Sequence, residues 1–134
     1  MAISLMEAYM IEVLKSHALT YEEISNQIEQ NNVDQIAQQY EVDMAQLKAL
    51  YEASPVEFKD AFQGHYEVKF MTINGLKNLI RMRFGITEDR YTLLEQGNGI
   101  ENLIIDEATE KQITTMLSSN WKVKRDDKKV TFYV

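Results

Sequence analysis

The first part of the chain has the periodicity of an apolar helix. At about 100° per residue, one face of residues 3–18 is apolar and the opposite face is polar. The apolar face consists of Ile3, Met6, Tyr9, Met10, Val13 and Leu14. Leu5 and Ile11 project into the polar arc, so we expect a helix that is buried on most sides. Alternatively, Leu5 and Ile11 form a surface for self-association or for a partner, because surplus apolar area must be covered.

Capping signals predict where the next helices begin and end. Thr20 and Glu23 have the spacing of a capping box, which opens a short helix. Further along, Ser54 followed by Pro55 is typical of a helix start, and Gly64 is a natural end for that helix.

A further helix is predicted over residues 73–84, with Thr72 as its cap and Gly85 just past its end. Its core face comprises Leu76, Leu79, Ile80 and Phe84. The basic side chains expected toward water are Lys77, Arg81 and Arg83. Such a face is either merely solvated or a surface that contacts phosphate.

Residues 33–52 predict two short helices joined by a turn. Their inner faces are formed by Ile36, Ala37, Tyr40, Leu47 and Leu50. Asp43 is a good N-cap for the second helix, whereas Glu41 stands where such turns commonly have glycine. Over about 20 residues this spacing resembles the general helix-turn-helix pattern. The resemblance implies DNA contact through the second helix, where the residues facing the bases would be Met44, Ala45, Gln46 and Lys48. Alternatively, the helix pair serves only in packing.

Beyond Ile86 the pattern changes from helical to β-like. Residues 90–96 and 100–105, joined by the turn Gly97-Asn-Gly99, predict a β-hairpin. The first of these segments could equally be a helix that runs from a Thr87 cap to a stop at the glycine.

The end of the chain predicts a strand pair. If Asp126-Asp127 forms a two-residue turn, Val123 pairs with Val130, and Lys124 lies opposite Lys129. The face opposite the apolar one then carries Lys122, Lys124, Lys129 and Tyr133.

A helix over residues 109–119, with Thr109 as its cap, precedes this hairpin. The order of helix and basic hairpin resembles that of winged-helix DNA binders. The resemblance implies that the helix enters the major groove and that the hairpin contacts phosphate. The cations for this contact are Lys122, Lys124, Arg125, Lys128 and Lys129. The alternative is that lysines protect an exposed strand edge from pairing with other chains.

Charge divides the chain into two unequal parts. Residues 1–67 hold twelve acids and three bases, a net charge of −9, whereas residues 68–134 hold nine acids and eleven bases, a net charge of +2. Because nucleic-acid affinity depends largely on Lys and Arg that displace counterions from phosphates, the acidic part is a poor duplex binder by itself. The 134 residues suffice for one complete core and are few for two, so we expect a single unit.

Catalytic chemistry has little support in the sequence. The two histidines, His17 and His65, have no metal-ligand spacing, and there is no cysteine for thiol chemistry. No Gly-rich phosphate loop or nucleophile elbow occurs. Glu7 and Glu12 interrupt the apolar N-terminus, which also lacks a basic region. We expect a cytoplasmic protein that is not an enzyme, uses no cofactor or metal and inserts into no membrane.

Together these patterns predict an α+β fold that is mostly α. An N-terminal helical bundle contains the helix-turn-helix-like pair, and a C-terminal helix is accompanied by one or two antiparallel hairpins. The first functional hypothesis is a regulatory protein that binds double-stranded DNA through its C-terminal half, as a dimer through its first helix. The alternative is an adaptor or inhibitor whose acidic half binds a basic protein surface. That acidic surface would comprise Glu22, Glu23, Glu29, Asp34, Glu41 and Asp43.

Overall fold

Side-chain caps set the boundaries of most helices in the computed structural model, which describes residues 2–134. Thr20, Asp43, Ser54 and Thr72 each accept a hydrogen bond from an amide in the first turn, as the sequence predicts. The described residues form an α+β fold with seven α-helices: α1 (Leu5–Ser16), α2 (Tyr21–Glu29), α3 (Asp34–Tyr40), α4 (Met44–Ala53), α5 (Pro55–Phe62), α6 (Ile73–Phe84) and α7 (Glu107–Met116). The strands are β1 (Ala2–Ile3), β2 (Glu67–Val68), β3 (Thr92–Leu93), β4 (Gly99–Ile104), β5 (Lys122–Asp126) and β6 (Lys129–Tyr133).

Helix α1 begins two residues later than the apolar periodicity predicts. Ser4 and Glu7 form a capping box, in which the Glu7 amide donates to the Ser4 hydroxyl at 3.0 Å and the Ser4 amide donates to the Glu7 carboxylate at 2.8 Å. The residue before this cap, Ile3, is therefore free to pair in β1. Its strand runs parallel to β2, with Ile3 opposite Val68.

The alternative interpretation of Leu5 and Ile11 as a partner surface is wrong. Ile11 is completely buried, and Leu5 is half-buried with its methyl groups against Gly75 of α6. The reason is that α1 packs against α4, α5 and α6, so nearly its whole circumference is covered. The exposed apolar residue of this helix is Met6, which the periodicity placed on the buried face and which is 58% exposed.

The predicted helix pair at residues 33–52 is present as α3 and α4. Although Glu41 is not a glycine, it adopts the left-handed conformation that glycine commonly supplies at such a turn, with φ 56° and ψ 44°. Val42 and Leu47 lie in the core, as does Met44, which is only 2% exposed. The prediction that Met44 faces DNA bases is therefore wrong, because the turn directs this side chain inward.

The second half of the chain forms a four-stranded antiparallel sheet in the order β3-β4-β6-β5. Strands β3 and β4 form the predicted hairpin, so the helical alternative for its first arm is wrong. The arm is short, because a 3-10 turn at Glu88–Arg90 precedes it. Helix α7 connects β4 to β5, and β6 lies between these two strands.

The C-terminal hairpin has its turn at Asp127-Lys128, one residue later than predicted. Val123 consequently lies opposite Phe132 rather than Val130, and Lys124 lies opposite Thr131. This register avoids the unfavourable juxtaposition of Lys124 and Lys129 and places Lys129 opposite Asp126 instead. The turn requires a left-handed residue, which Asp127 supplies with φ 58°.

The predicted cap of α7 is also wrong. The Asp106 carboxylate accepts a hydrogen bond from the Thr109 amide at 2.8 Å, so the helix begins at Glu107, and Thr109 is its third residue. A carboxylate at this position also interacts favourably with the positive end of the helix dipole.

One hydrophobic cluster joins the helices to the sheet. It contains Leu14 of α1 and Leu47 of α4 as well as Ile100 and Phe132 of the sheet, all of them completely buried. Across residues 2–134, no helix combines the length and the apolar character that crossing a membrane requires.

Candidate functional site

Four exposed lysines lie close together in sequence on the C-terminal hairpin. Side chains of successive residues in a strand point to opposite faces of the sheet, and paired residues share a face. The pairs Lys122 with Tyr133, Lys124 with Thr131 and Asp126 with Lys129 therefore share the outer face. Lys128 lies at the turn. We call Lys122, Lys124, Lys128 and Lys129 the lysine face.

The lysine face is free for a ligand. All four lysines are exposed, and among the described residues none of them forms a salt bridge. Lys122 and Lys124 are two residues apart on β5, which separates their Cα atoms by about 7 Å. Asp126 shares the face and Asp127 lies at the turn, so the local charge is smaller than the four lysines alone would give.

Arg125 does not belong to this surface, contrary to the sequence-based prediction. Its side chain shares the inner face with Val123, where its Nε donates to the Glu110 carboxylate of α7 at 2.9 Å. The guanidinium also donates to the carbonyls of Ile105 at 3.0 Å and Asp127 at 2.9 Å. Arg125 thus connects α7, the end of β4 and the hairpin turn.

The three cations predicted on α6 have three different environments. Lys77 donates to Glu88 at 2.8 Å, and this hydrogen bond raises the pKa of Lys77 and lowers that of Glu88. Arg81 is exposed, but α6 packs mainly on α1 rather than on the sheet. Of the three, only Arg81 is both exposed and outside the salt bridges within residues 2–134.

Arg83 is turned inward, so its prediction as a water-facing cation is wrong. Its guanidinium carbon lies 5.9 Å from the centre of the Tyr66 ring and 5.1 Å from that of Phe84. Gly64 lies directly against the guanidinium, which leaves no room for a Cβ atom there. The Nη1 atom of Arg83 is buried without a hydrogen-bond partner. Stacking on two aromatic rings compensates in part for the burial of this charge.

Helix α4 presents few free polar groups to a ligand. The Gln46 amide donates to Asp43 at 3.3 Å, and Lys48 donates to Asn31 at 3.3 Å and approaches Glu52 at 3.9 Å. The two helix-turn-helix candidates, Gln46 and Lys48, are therefore already engaged within the molecule. With Asp43 as its N-cap and Glu52 in its last turn, α4 is poorly suited to approach phosphate.

Helix α7 is net acidic. Lys111 is its one cation, whereas Glu107 and Glu110 are both in its first turn. The hydroxyl groups of Thr114 and Thr115 donate to carbonyls of their own helix.

The six acidic partner candidates are all exposed: Glu22, Glu23, Glu29, Asp34, Glu41 and Asp43. Two of them have structural contacts as well. Asp43 caps α4, and Glu29 accepts a hydrogen bond of 2.6 Å from the Tyr51 hydroxyl, which raises the pKa of Tyr51 to about 12. None of the six forms a salt bridge within residues 2–134.

The structure adds a feature that the sequence analysis did not identify, a groove of about 380 Å³ between α2 and α3. Apolar and amide side chains line it, among them Ile36, Tyr40, Gln35 and Gln39. The amphipathic pattern of α3 predicts that its apolar residues belong wholly to the core. In fact Ile36 and Tyr40 are only half-buried.

No protein-family model matches the chain, and neither the curated proteins nor the solved structures contain a match to it.

Proposed function

We propose that this chain is a non-enzymatic regulatory protein of winged-helix-like type, which binds double-stranded DNA through the lysine face. The observation that carries the proposal is the group of four exposed lysines on one hairpin, none of them engaged in a salt bridge within residues 2–134. Free ammonium groups can release condensed counterions from phosphates, which is the main source of sequence-independent affinity.

The proposal assigns the DNA contact to the hairpin and not to the helix pair α3–α4. Lysines contact phosphate oxygens, which position a protein on DNA but carry no base sequence. The engaged side chains of α4 and the acids of α7 give little support to base recognition. We therefore propose that the hairpin contacts the DNA backbone with low sequence specificity. Repulsion between phosphate and the acidic half of the chain keeps the affinity modest.

Salt dependence tests this proposal. Four phosphate contacts give a slope of about −3.6 in a plot of log K against log salt concentration. The affinity for a fluorescein-labelled DNA duplex, measured by fluorescence anisotropy, should therefore fall by roughly 100-fold between 50 and 200 mM salt. Absence of duplex binding at low salt would refute the proposal.

A charge-matched pair of variants locates the contact. Lys124→Glu with Lys129→Glu should weaken binding to all duplex sequences, because two phosphate contacts become repulsive. Lys59→Glu with Lys69→Glu changes the net charge equally at exposed lysines outside the hairpin. Equal weakening by both pairs would show that total charge, and not the lysine face, determines binding.

A further inference from the structure

The groove between α2 and α3 has the composition of a surface that receives a protein segment. Leu19, Ile36 and Tyr40 form half-buried apolar parts of its lining, whereas Gln30, Gln35 and Gln39 are exposed. An apolar floor with polar amides around it is the arrangement that accommodates one face of an amphipathic helix.

Helix α3 is the least buried of the described helices. None of its seven residues is fully buried, and Ile36, Ala37 and Tyr40 remain partly accessible. A helix this short gains little from its own hydrogen bonds, so its stability depends on the packing of its apolar side. A second helix laid in the groove would complete that packing.

The charge around the groove selects the kind of partner. Residues 1–67 have a net charge of −9, and Lys15 and Lys48, two of their three bases, lie near Glu12 and Glu52. Glu23 lines the groove, and the exposed Glu29 and Asp34 belong to the same two helices. None of these three carboxylates forms a salt bridge within residues 2–134. A partner that carries lysine or arginine would therefore be attracted, and nucleic acid would be repelled.

We propose that the α2–α3 groove is the docking site for a basic amphipathic helix of another protein. The apolar face of that helix lies on Ile36 and Tyr40, and its lysines or arginines face Glu23 and the acidic half of the chain around the groove. The proposal is independent of the DNA contact, because the lysine face belongs to a different part of the chain.

The probe for this proposal is a fluorescein-labelled peptide of about 15 residues, with leucines on one helical face and lysines on the other. Its twin carries glutamate in place of every lysine. The full chain should bind the basic peptide and not its twin, and the affinity should fall with added salt. In NMR spectra of the ¹⁵N-labelled chain, the shifted amides should lie in α2 and α3. Absence of binding, or shifts spread over the whole acidic half, would overturn the proposal.

Two pairs of variants separate the groove from overall charge. Gln35→Lys with Gln39→Lys places two positive charges at the groove and should weaken peptide binding by at least about tenfold. Gln96→Lys with Gln112→Lys makes the same change at exposed glutamines outside the groove and should leave the affinity within about twofold. Equal losses for both pairs would show attraction to total charge only. The hairpin variant Lys124→Glu with Lys129→Glu should retain the peptide, so failure of either proposal is distinguishable from failure of the other.

Discussion

The hydroxyl of Tyr66 donates a hydrogen bond of 2.9 Å to the carboxylate of Glu12, and both side chains are almost completely buried. The contact joins α1 to the segment that precedes β2. Lys15 approaches the same carboxylate at 3.8 Å, and burial lowers the pKa of this lysine although Glu12 opposes the change. A buried carboxylate depends on such partners, since its desolvation is unfavourable unless hydrogen bonds compensate.

Tyr66→Phe should therefore lower the free energy of unfolding by about 1–3 kcal/mol, because it removes a hydrogen bond from a buried charged acceptor while preserving the ring. Urea denaturation measures this change. Tyr51→Phe is the matched control: it also removes a tyrosine–glutamate hydrogen bond, to the exposed Glu29, and should cost less. If the two variants lost equal stability, the Glu12 contact would have no special role.

The same tyrosine predicts a stability loss at alkaline pH. Burial, and then the charge of Glu12, raises the pKa of Tyr66 far above its usual value. A tyrosine in the unfolded chain has a pKa of about 10, whereas the folded protein keeps Tyr66 protonated above that pH. The stabilisation is thus complete below about pH 10 and is lost as the pH rises further, by up to about 1.4 kcal/mol per pH unit. Tyr66→Phe should reduce this slope in unfolding experiments between pH 9 and 11, and an unchanged slope would contradict the assignment.

Much of the secondary structure is predictable because its signals are local. Four helices are capped through contacts within three residues, and such contacts can be predicted from the sequence. The caps are Thr20, Asp43, Ser54 and Thr72. The strand alternation similarly predicts that Lys122, Lys124 and Lys129 share one face. Local patterns fail where two neighbouring turn positions are both plausible. At the C-terminal hairpin, the turn at Asp127-Lys128 rather than Asp126-Asp127 changes every cross-strand partner.

The two inward-turned arginines show that the direction of a side chain can be predicted from the sequence more readily than its distant partner. Arg83 and Arg125 lie in segments rich in basic residues, but both turn inward to partners distant in sequence: Arg83 stacks on Tyr66, and Arg125 binds Glu110. The alternation of β5 does place Arg125 on the face of Val123, opposite to the lysines. The helical spacing likewise places Arg83 on the core face of α6, because it lies three, four and seven residues after Ile80, Leu79 and Leu76. Its aromatic neighbour Tyr66 comes from the chain before β2, and that partner could not be predicted from the spacing.

The turn between α3 and α4 carries a conformation that favours glycine. Glu41 has φ 56°, where a residue with a Cβ atom is strained. Glu41→Gly should raise the free energy of unfolding by about 1 kcal/mol, because relief of that strain exceeds the added flexibility of the unfolded chain. Gln38→Gly, at an exposed position inside α3, should instead lower it by about 1 kcal/mol. Thermal unfolding followed by circular dichroism compares the stabilities of the two variants. Destabilisation by Glu41→Gly would show that the Glu41 side chain makes a contact whose stabilisation exceeds the backbone strain.

Neighbouring positions on β5 should separate stability from DNA binding. Arg125→Lys retains the charge but loses the planar group that reaches Glu110 and the carbonyls of Ile105 and Asp127, so it should destabilise the protein by about 2 kcal/mol. Its affinity for duplex DNA, measured where the variant is folded, should be unchanged. Lys124→Ala should do the reverse: its unfolding free energy should stay within about 0.5 kcal/mol of the original, while the salt slope of DNA binding becomes shallower by about 0.9. Urea denaturation and fluorescence anisotropy on the same samples measure both quantities. A loss of DNA affinity in folded Arg125→Lys would show that Arg125 contacts phosphate. It would contradict the assignment of this arginine to the contact between α7 and the hairpin.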